Sequence, residues 1–243
     1  MSQTRLLVMA SGNGSNFQAI LDACADGRIP NTRVCKLIVN RKTAFSIQRA
    51  EKAGVPHEYF NLVAHGYHAK GERDAAKVSE ARARYDADLG AKIVDEKPDM
   101  VVLAGWMHVF AQSFLTPLQS AGIPVINLHP ALPGMELPLL GILRLQSLYS
   151  PSSFVGAYNG ASAIERAYDD CQAGTLEKGR TGIMVHYVIA EVDMGKPILT
   201  QEIPCSKSDS LEDLQTRMHA AEHGLLVKAI AQLVPEIAAK KTT

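Results

Sequence analysis

Several things are scarce in this chain of 243 residues, and each shortage excludes a class of protein. Its four cysteines, Cys24, Cys35, Cys171 and Cys205, are scattered with no CxxC pair. The expectation is therefore free thiols in a reducing compartment rather than a disulfide framework or a thiolate metal site. Neither sign of charge is in surplus, with 25 Lys plus Arg against 25 Asp plus Glu, so no nucleic-acid or anionic membrane surface is expected. A clean membrane-length apolar run is also missing. The longest greasy stretch, 135–155, carries Arg144 and several polar residues, which spoil it as a span. The apolar run at the N-terminus is too short for a secretory signal and flows straight into a glycine loop, so it reads as a first strand. A cytoplasmic protein is the expectation.

What is present is ordinary for a globular domain: 47% hydrophobic and 21% charged residues, with ample length for a buried core. Strand-like runs at 5–10, 34–39, 57–60, 99–104 and 124–128 alternate with helical patterns that start near Phe17 and cover 44–53, 71–96 and 112–120. That alternation predicts right-handed βαβ units, and so a doubly wound, mostly parallel α/β sheet. Later the rhythm changes. A helix over 161–171 is followed by strands 182–189 and 197–203, separated only by "AEVDMGK". So short a link suits an antiparallel pair. A helix over 211–233 closes the pattern. With no repeat and no linker, a single domain over 1–243 is expected.

Four motifs carry chemistry. "MASGNGSNFQAI" (9–20) is a glycine loop between a strand and a helix, where exposed N–H groups at a helix start make an anion site. Phe17 stands where a dinucleotide fingerprint needs its third glycine, and Asn40-Arg41 where it needs an acid. A phosphate monoester fits better than NAD, with an ordinary tight turn as the alternative. In "VINLHPALPG" (125–134), Asn127 and His129 are two apart on a strand that Pro130 stops. Both side chains then leave one face at the carboxyl edge of the sheet, where open α/β folds bind ligands. An amide donor beside an imidazole suits acyl transfer; a structural histidine capping a loop is the other reading. Asp193 lies in a glycine-containing turn and needs a nearby imidazole to be more than a turn former. "HAAEH" (219–223) has the spacing of a zinc pair, but no third ligand is suggested. "AGWMHVF" (104–110) follows another strand and could line an aromatic-ligand pocket or belong to the core.

Together, "SGNGSNFQAI", "KPDMVVLAGWM", "INLHPALPG", "AIERAYDDCQ", "GIMVHYVIAEVDMGKPI" and "HAAEH" resemble the phosphoribosylglycinamide formyltransferases, in that family's order and along nearly the whole chain. The resemblance is closest to the fungal, monofunctional form. The initiator-tRNA formylating enzyme, with its further C-terminal domain, and the formyltetrahydrofolate hydrolase, with an extra N-terminal one, fit less well. The resemblance implies transfer of a formyl group from 10-formyltetrahydrofolate to the amine of glycinamide ribonucleotide, in de novo purine synthesis. It implies Asn127, His129 and Asp193 as catalytic residues, and Gly14, Ser15 and Asn16 on the substrate phosphate with Arg82 as a cationic helper. Glu222 would contact the ribose or glycinamide portion. Met107, His108, Val109 and Phe110, with Asn127, would line the folate pocket, His108 replacing the family's usual arginine. Neither a metal nor a covalent enzyme intermediate is implied. Small molecules are the implied partners, and a homo-oligomer is compatible with the resemblance. Two other classes stay open: an inactive or impaired formyltransferase relative that binds a phospholigand, and, less favoured, an NAD-linked dehydrogenase.

In that family the "HPALPG" loop runs almost directly into "AYNGASAIERAY". Excising 135–156 restores this continuity in frame. Gly134-Met135 can be encoded as GGT-ATG, which contains a fungal 5′ splice signal, and 152–156 can be encoded as a pyrimidine-rich tract ending in TAG-G. The expectation is that 135–156, within a residue at each edge, is a translated intron. A genuine surface insertion or lid is the alternative, and one that could impair activity.

Overall fold

The computed structural model describes residues 3–133, 162–176 and 179–241; the segment 135–156, read above as a translated intron, lies outside them. Among the described residues, β1 (Thr4–Ala10), β2 (Thr32–Val39), β3 (His57–Tyr59), β4 (Met100–Leu103) and β5 (Val125–His129) alternate with α1 (Ser15–Ala25), α2 (Ser46–Lys52), α3 (Ala75–Asp95) and α4 (Gln112–Ser120). Then come α5 (Ala163–Ala173), β6 (Arg180–Tyr187), β7 (Pro197–Pro204) and α6 (Leu211–Lys240). The seven strands form one sheet in the order β3-β2-β1-β4-β5-β6-β7. β1 to β5 pair in parallel, while β6 and β7 add on antiparallel. The doubly wound sheet with its antiparallel pair is the architecture the sequence predicts.

β1 shows why its sequence is a continuous apolar run. Leu6 to Ala10 are all fully buried, because a central parallel strand is covered on both faces. Leu6, Val8 and Ala10 join one core with Phe17, Ile20, Ala167, Leu226 and Ile230, from α1, α5 and α6. Leu7 and Met9 join the other, with Tyr85 and Leu89 of α3 and Phe114 and Leu118 of α4. The period of two along the strand thus sends alternate side chains into two helical layers.

The chain winds outward from β1 to β3, then returns to lay β4 on the other side of β1. The loops leaving β1 and β4 therefore part company, and a crevice opens at the carboxyl ends of these strands. That topology positions the site.

Two of the boundaries that differ from the sequence expectation show their physical cause. α3 starts at Ala75 rather than near Gly71, because Gly71 has a positive φ and the Asp74 carboxylate accepts from Ala76 and Lys77 N–H groups, a capped start. α6 opens on a Ser210–Asp213 capping box and runs through Pro235 to Lys240. Proline weakens a helix interior locally, but Leu225, Leu226, Ala229, Ile230, Leu233 and Val234 are all buried against the sheet, and that packing carries the helix onward. Among the described residues no helix is long and apolar enough to cross a membrane.

The cysteines are free, with Cys35, Cys171 and Cys205 buried. Burial, reinforced by the nearby Asp26, pushes the Cys24 thiol up to about 11. Burial and the adjacent Cys171 push Cys205 up to about 12. Since the thiolate is the nucleophile, native Cys24 and Cys205 should resist iodoacetamide at pH 8 and label only after unfolding. Mass spectrometry of the two states checks this; rapid native labelling of Cys205 would contradict it.

Candidate active site

The crevice is a cavity of about 540 Å³ whose walls come from the loops after β1, β4 and β5, the β6–β7 turn and α6. Its first wall is the glycine loop. Gly14 caps α1 at φ 75, where other residues are strained. A Cβ there would also stand 2.6 Å from the Cβ of Ser46, so α2 can pack against the loop only if residue 14 is glycine. Ser15 and Asn16 begin α1, with no acidic residue in its first turn, and Gly14, Ser15 and Asn16 all line the cavity. Behind the loop, Arg49 of α2 donates from Nε to the Asn13 carbonyl and from Nη2 to Asn13 Oδ1, both at 3.0 Å. Asn16 Nδ2 donates to Glu222 Oε2 across 3.0 Å. Both side chains are buried, so this bond ties α6 to the loop inside the cavity.

The second wall gathers the candidate catalytic groups. Asn127 and His129 leave the same face of β5, and His129 is only 4% exposed. Asn127 Nδ2 donates to Asp193 Oδ1 at 3.3 Å, and His129 Nδ1 lies 3.5 Å from Asp193 Oδ2. A second imidazole joins them: His186, opposite Asn127 on β6, has Nε2 3.5 Å from Asp193 Oδ1 and 3.3 Å from Asn127 Nδ2. Its Nδ1 faces the Tyr187 carbonyl at 2.9 Å. A carbonyl only accepts, so that nitrogen carries a hydrogen, and in the neutral ring Nε2 is left to accept from Asn127. Asp193 thus meets not one imidazole but two, which answers the condition the sequence set for it.

Asp193 reaches this position through the β6–β7 turn, where its own backbone is left-handed at φ 57, as aspartate tolerates. A Cβ on Gly195 would run into the Tyr187 carbonyl oxygen, so the turn closes only around glycine. Gly195→Ala should therefore cost about 1–3 kcal/mol of stability through overpacking and swing the Asp193 carboxylate away from both imidazoles. Urea unfolding together with turnover checks this; a variant of wild-type stability and activity would show that the turn accommodates a methyl group.

Met107, His108, Val109 and Phe110 all line the cavity. Met107 and Val109 are 56% and 53% exposed, while the His108 imidazole turns away and bonds Asp86 of α3 at 2.6 Å. Glu222 and His219 of α6 also line the cavity, and His223 does not. The "HAAEH" pattern is therefore divided by the helix. Among the described residues no group of three or more His, Cys, Asp or Glu is placed to hold a metal ion.

Arg82 differs from its expected place. It is exposed on α3 and lies outside the cavity lining, because the helical period that buries Ala81, Tyr85 and Asp86 turns Arg82 outward. The guanidinium beside the glycine loop belongs to Arg49 instead. His186, Arg49 and Asp86 went unsingled in the sequence. Of these, only His186 had a readable signal, being an imidazole on the strand that leads into the Asp193 turn.

A glycine loop and helix start facing an amide–imidazole–carboxylate cluster, across the switch point of a doubly wound sheet, is the layout of a group-transfer enzyme of the α/β class. The chain belongs to the formyl transferase family, whose family model matches residues 4–135 and 137–230. It is 41% identical over 232 residues to the phosphoribosylglycinamide formyltransferase of Schizosaccharomyces pombe, covering 95% of this chain and 97% of that one. The enzyme of the same name from Dictyostelium discoideum is 37% identical, with 94% and 97% covered. Among solved structures, glycinamide ribonucleotide transformylase 1 from Symbiobacterium toebii superposes with a TM-score of 0.68 at 30% identity, covering 94% of this chain and 86% of that one.

Proposed function

We propose that this protein is a phosphoribosylglycinamide formyltransferase, moving the formyl group of 10-formyltetrahydrofolate onto the amine of glycinamide ribonucleotide in purine biosynthesis. The observation that carries the reading is the convergence of Asn127, His129 and Asp193 on one cavity wall, opposite the glycine loop. The phosphate sits at Gly14, Ser15 and Asn16, where the start of α1 favours an anion. Glu222, held by Asn16, faces the ribose or glycinamide portion. Met107, His108, Val109 and Phe110 form the folate side.

In this reading the substrate amine attacks the formyl carbon. A new C–N bond forms, the carbonyl becomes a tetrahedral oxyanion, and the bond to the folate nitrogen then breaks. One proton passes from the attacking amine to the departing nitrogen, and His129 moves it. Asp193, 3.5 Å from His129 Nδ1, orients the ring. Asn127 donates to the oxyanion. Its Nδ2 now serves Asp193 and His186 at 3.3 Å each, contacts at the long end of the hydrogen-bond range, so redirecting one N–H to the oxyanion costs little.

The test is purified protein with both substrates, as the full chain and as a form lacking 135–156, assayed for the formylated ribonucleotide. Turnover by either form supports the reading, and none by both overturns it. We propose further that 135–156 is a translated intron in an otherwise single domain; a transcript population uniformly retaining it would overturn this. Small molecules are the proposed partners, supported by the balance of 25 basic against 25 acidic residues, and the cytoplasm is the proposed compartment, supported by the free cysteines, which suit a reducing environment.

A further inference from the structure

The loop between β4 and α4 holds alternate side chains on opposite sides. Trp106 is 9% exposed, Met107 56% and Val109 53%, and the His108 side chain between the last two is turned inward at 10%. An extended segment with this alternation needs something to hold its inward residues. At its start, Ser11 supplies the hold: its N–H donates to the Gly105 carbonyl at 3.0 Å and its Oγ accepts from Met107 N–H at 2.9 Å. At its other end the hold is a single carboxylate from a different layer. Asp86 of α3 is fully buried. Its Oδ1 lies 2.6 Å from His108 Nε2, and its Oδ2 accepts from Ala111 N–H at 2.6 Å.

The arrangement accounts for a buried charge that the formyl transfer does not use. An ionised carboxylate only accepts, so the Nε2 hydrogen belongs to His108, and both Asp86 oxygens have short, charge-assisted partners. Ala111 is the N-cap of α4, whose first turn has no acidic residue and whose cap makes no side-chain bond. Asp86 brings a negative charge from α3 to that positive helix end. The imidazole it holds is wedged edge-on between Tyr85 and Phe110, with ring centroids 5.3 Å away on each side. Phe110 in turn stacks on Phe114 of α4 at 3.6 Å.

We infer that Asp86 is a positioning residue for the formyl-donor half of the cavity, acting through His108 and Ala111 to set the backbone of 107–110 against the folate. The inference rests on the proposed function for the identity of the ligand. His108 then serves that half by anchoring the loop with its imidazole, while the main chain on either side meets the ligand.

The only tryptophan of the chain, Trp106, lies on this loop, so its fluorescence reports the loop independently of turnover. In the full-length protein, Asp86→Ala should raise KM for 10-formyltetrahydrofolate by about tenfold to a hundredfold, the loss expected from hydrogen bonds to a charged group. KM for glycinamide ribonucleotide and kcat should change by no more than about threefold by the same split, and Trp106 should become more open to acrylamide quenching. Asp86→Asn, which can still accept from Ala111, should recover part of both effects. An unchanged donor KM with unchanged quenching would overturn the inference. So would a parallel fall in kcat and in affinity for both substrates, the mark of a merely structural role. If Asp86→Ala does not fold, Asp86→Asn carries the same test, and wild-type values for it in both readouts would overturn the inference. Protein inactive toward these substrates both with and without 135–156, but quenched differently from Asp86→Ala, would instead overturn the proposed function and leave Asp86 as the loop's anchor.

Discussion

His129→Ala is expected to lower kcat by about 10²–10⁴-fold, the usual worth of a positioned general acid–base group, while KM for the ribonucleotide stays near its wild-type value. The reason lies in the geometry. His129 is 4% exposed at the end of β5 and shares Asp193 with His186. The glycine loop and Glu222, which under the proposed function would hold the ribonucleotide, belong to other elements. Removing the imidazole leaves their framework in place, and the loss should fall on chemistry rather than binding. Steady-state kinetics with each substrate varied in turn decides the matter. A variant that turns over normally would end the assignment of His129, and with it the proton route. His186 makes a useful control. If it had taken over the proton transfer, the loss in His129→Ala would be small and His186→Ala would show the large one.

The second large effect concerns Asn127. Asn127→Ala should cost about 10²–10³-fold in kcat, the range for losing one oxyanion donor. It should also loosen Asp193, which loses the 3.3 Å bond from Nδ2. Asn127 and His129 both meet the Asp193 carboxylate, and under the proposed mechanism they serve one transition state, so their losses should not add. The double variant is expected to be little worse than His129→Ala alone. A double-mutant cycle measures this directly, and strict additivity of the two losses would mean that the groups act independently.

The parts of this protein that were legible along the chain share a physical character. β1 reads as a strand because a doubly covered strand must be apolar throughout, and Leu6 to Ala10 are. The antiparallel β6–β7 pair follows from a link too short to cross over. Asn127 and His129 were visible because a period of two is a local property. The glycine loop was visible because a tight turn needs residues without side chains, and Gly14 against Ser46 shows that need in space.

What stayed hidden depends on contacts between residues far apart in sequence. Arg49 meets Asn13 only because α2 folds back over the glycine loop, and Asp86 meets His108 only because α3 packs beside α4. Neither residue has a pattern of its own to read. Arg82, carried over from a resemblance, went to solvent because the face of α3 is set by which neighbours it buries. The sequence by itself determined the order of the elements, the parallel sheet and the amide–imidazole pair on β5, since these follow from propensity, period and turn chemistry acting within a few residues. Only the tertiary structure decided that Asp193 stands between two imidazoles, that Asn16 holds Glu222, and that a buried carboxylate on α3 anchors a cavity wall. Those are matters of packing in three dimensions, where the partner is chosen by the sheet order and not by distance along the chain.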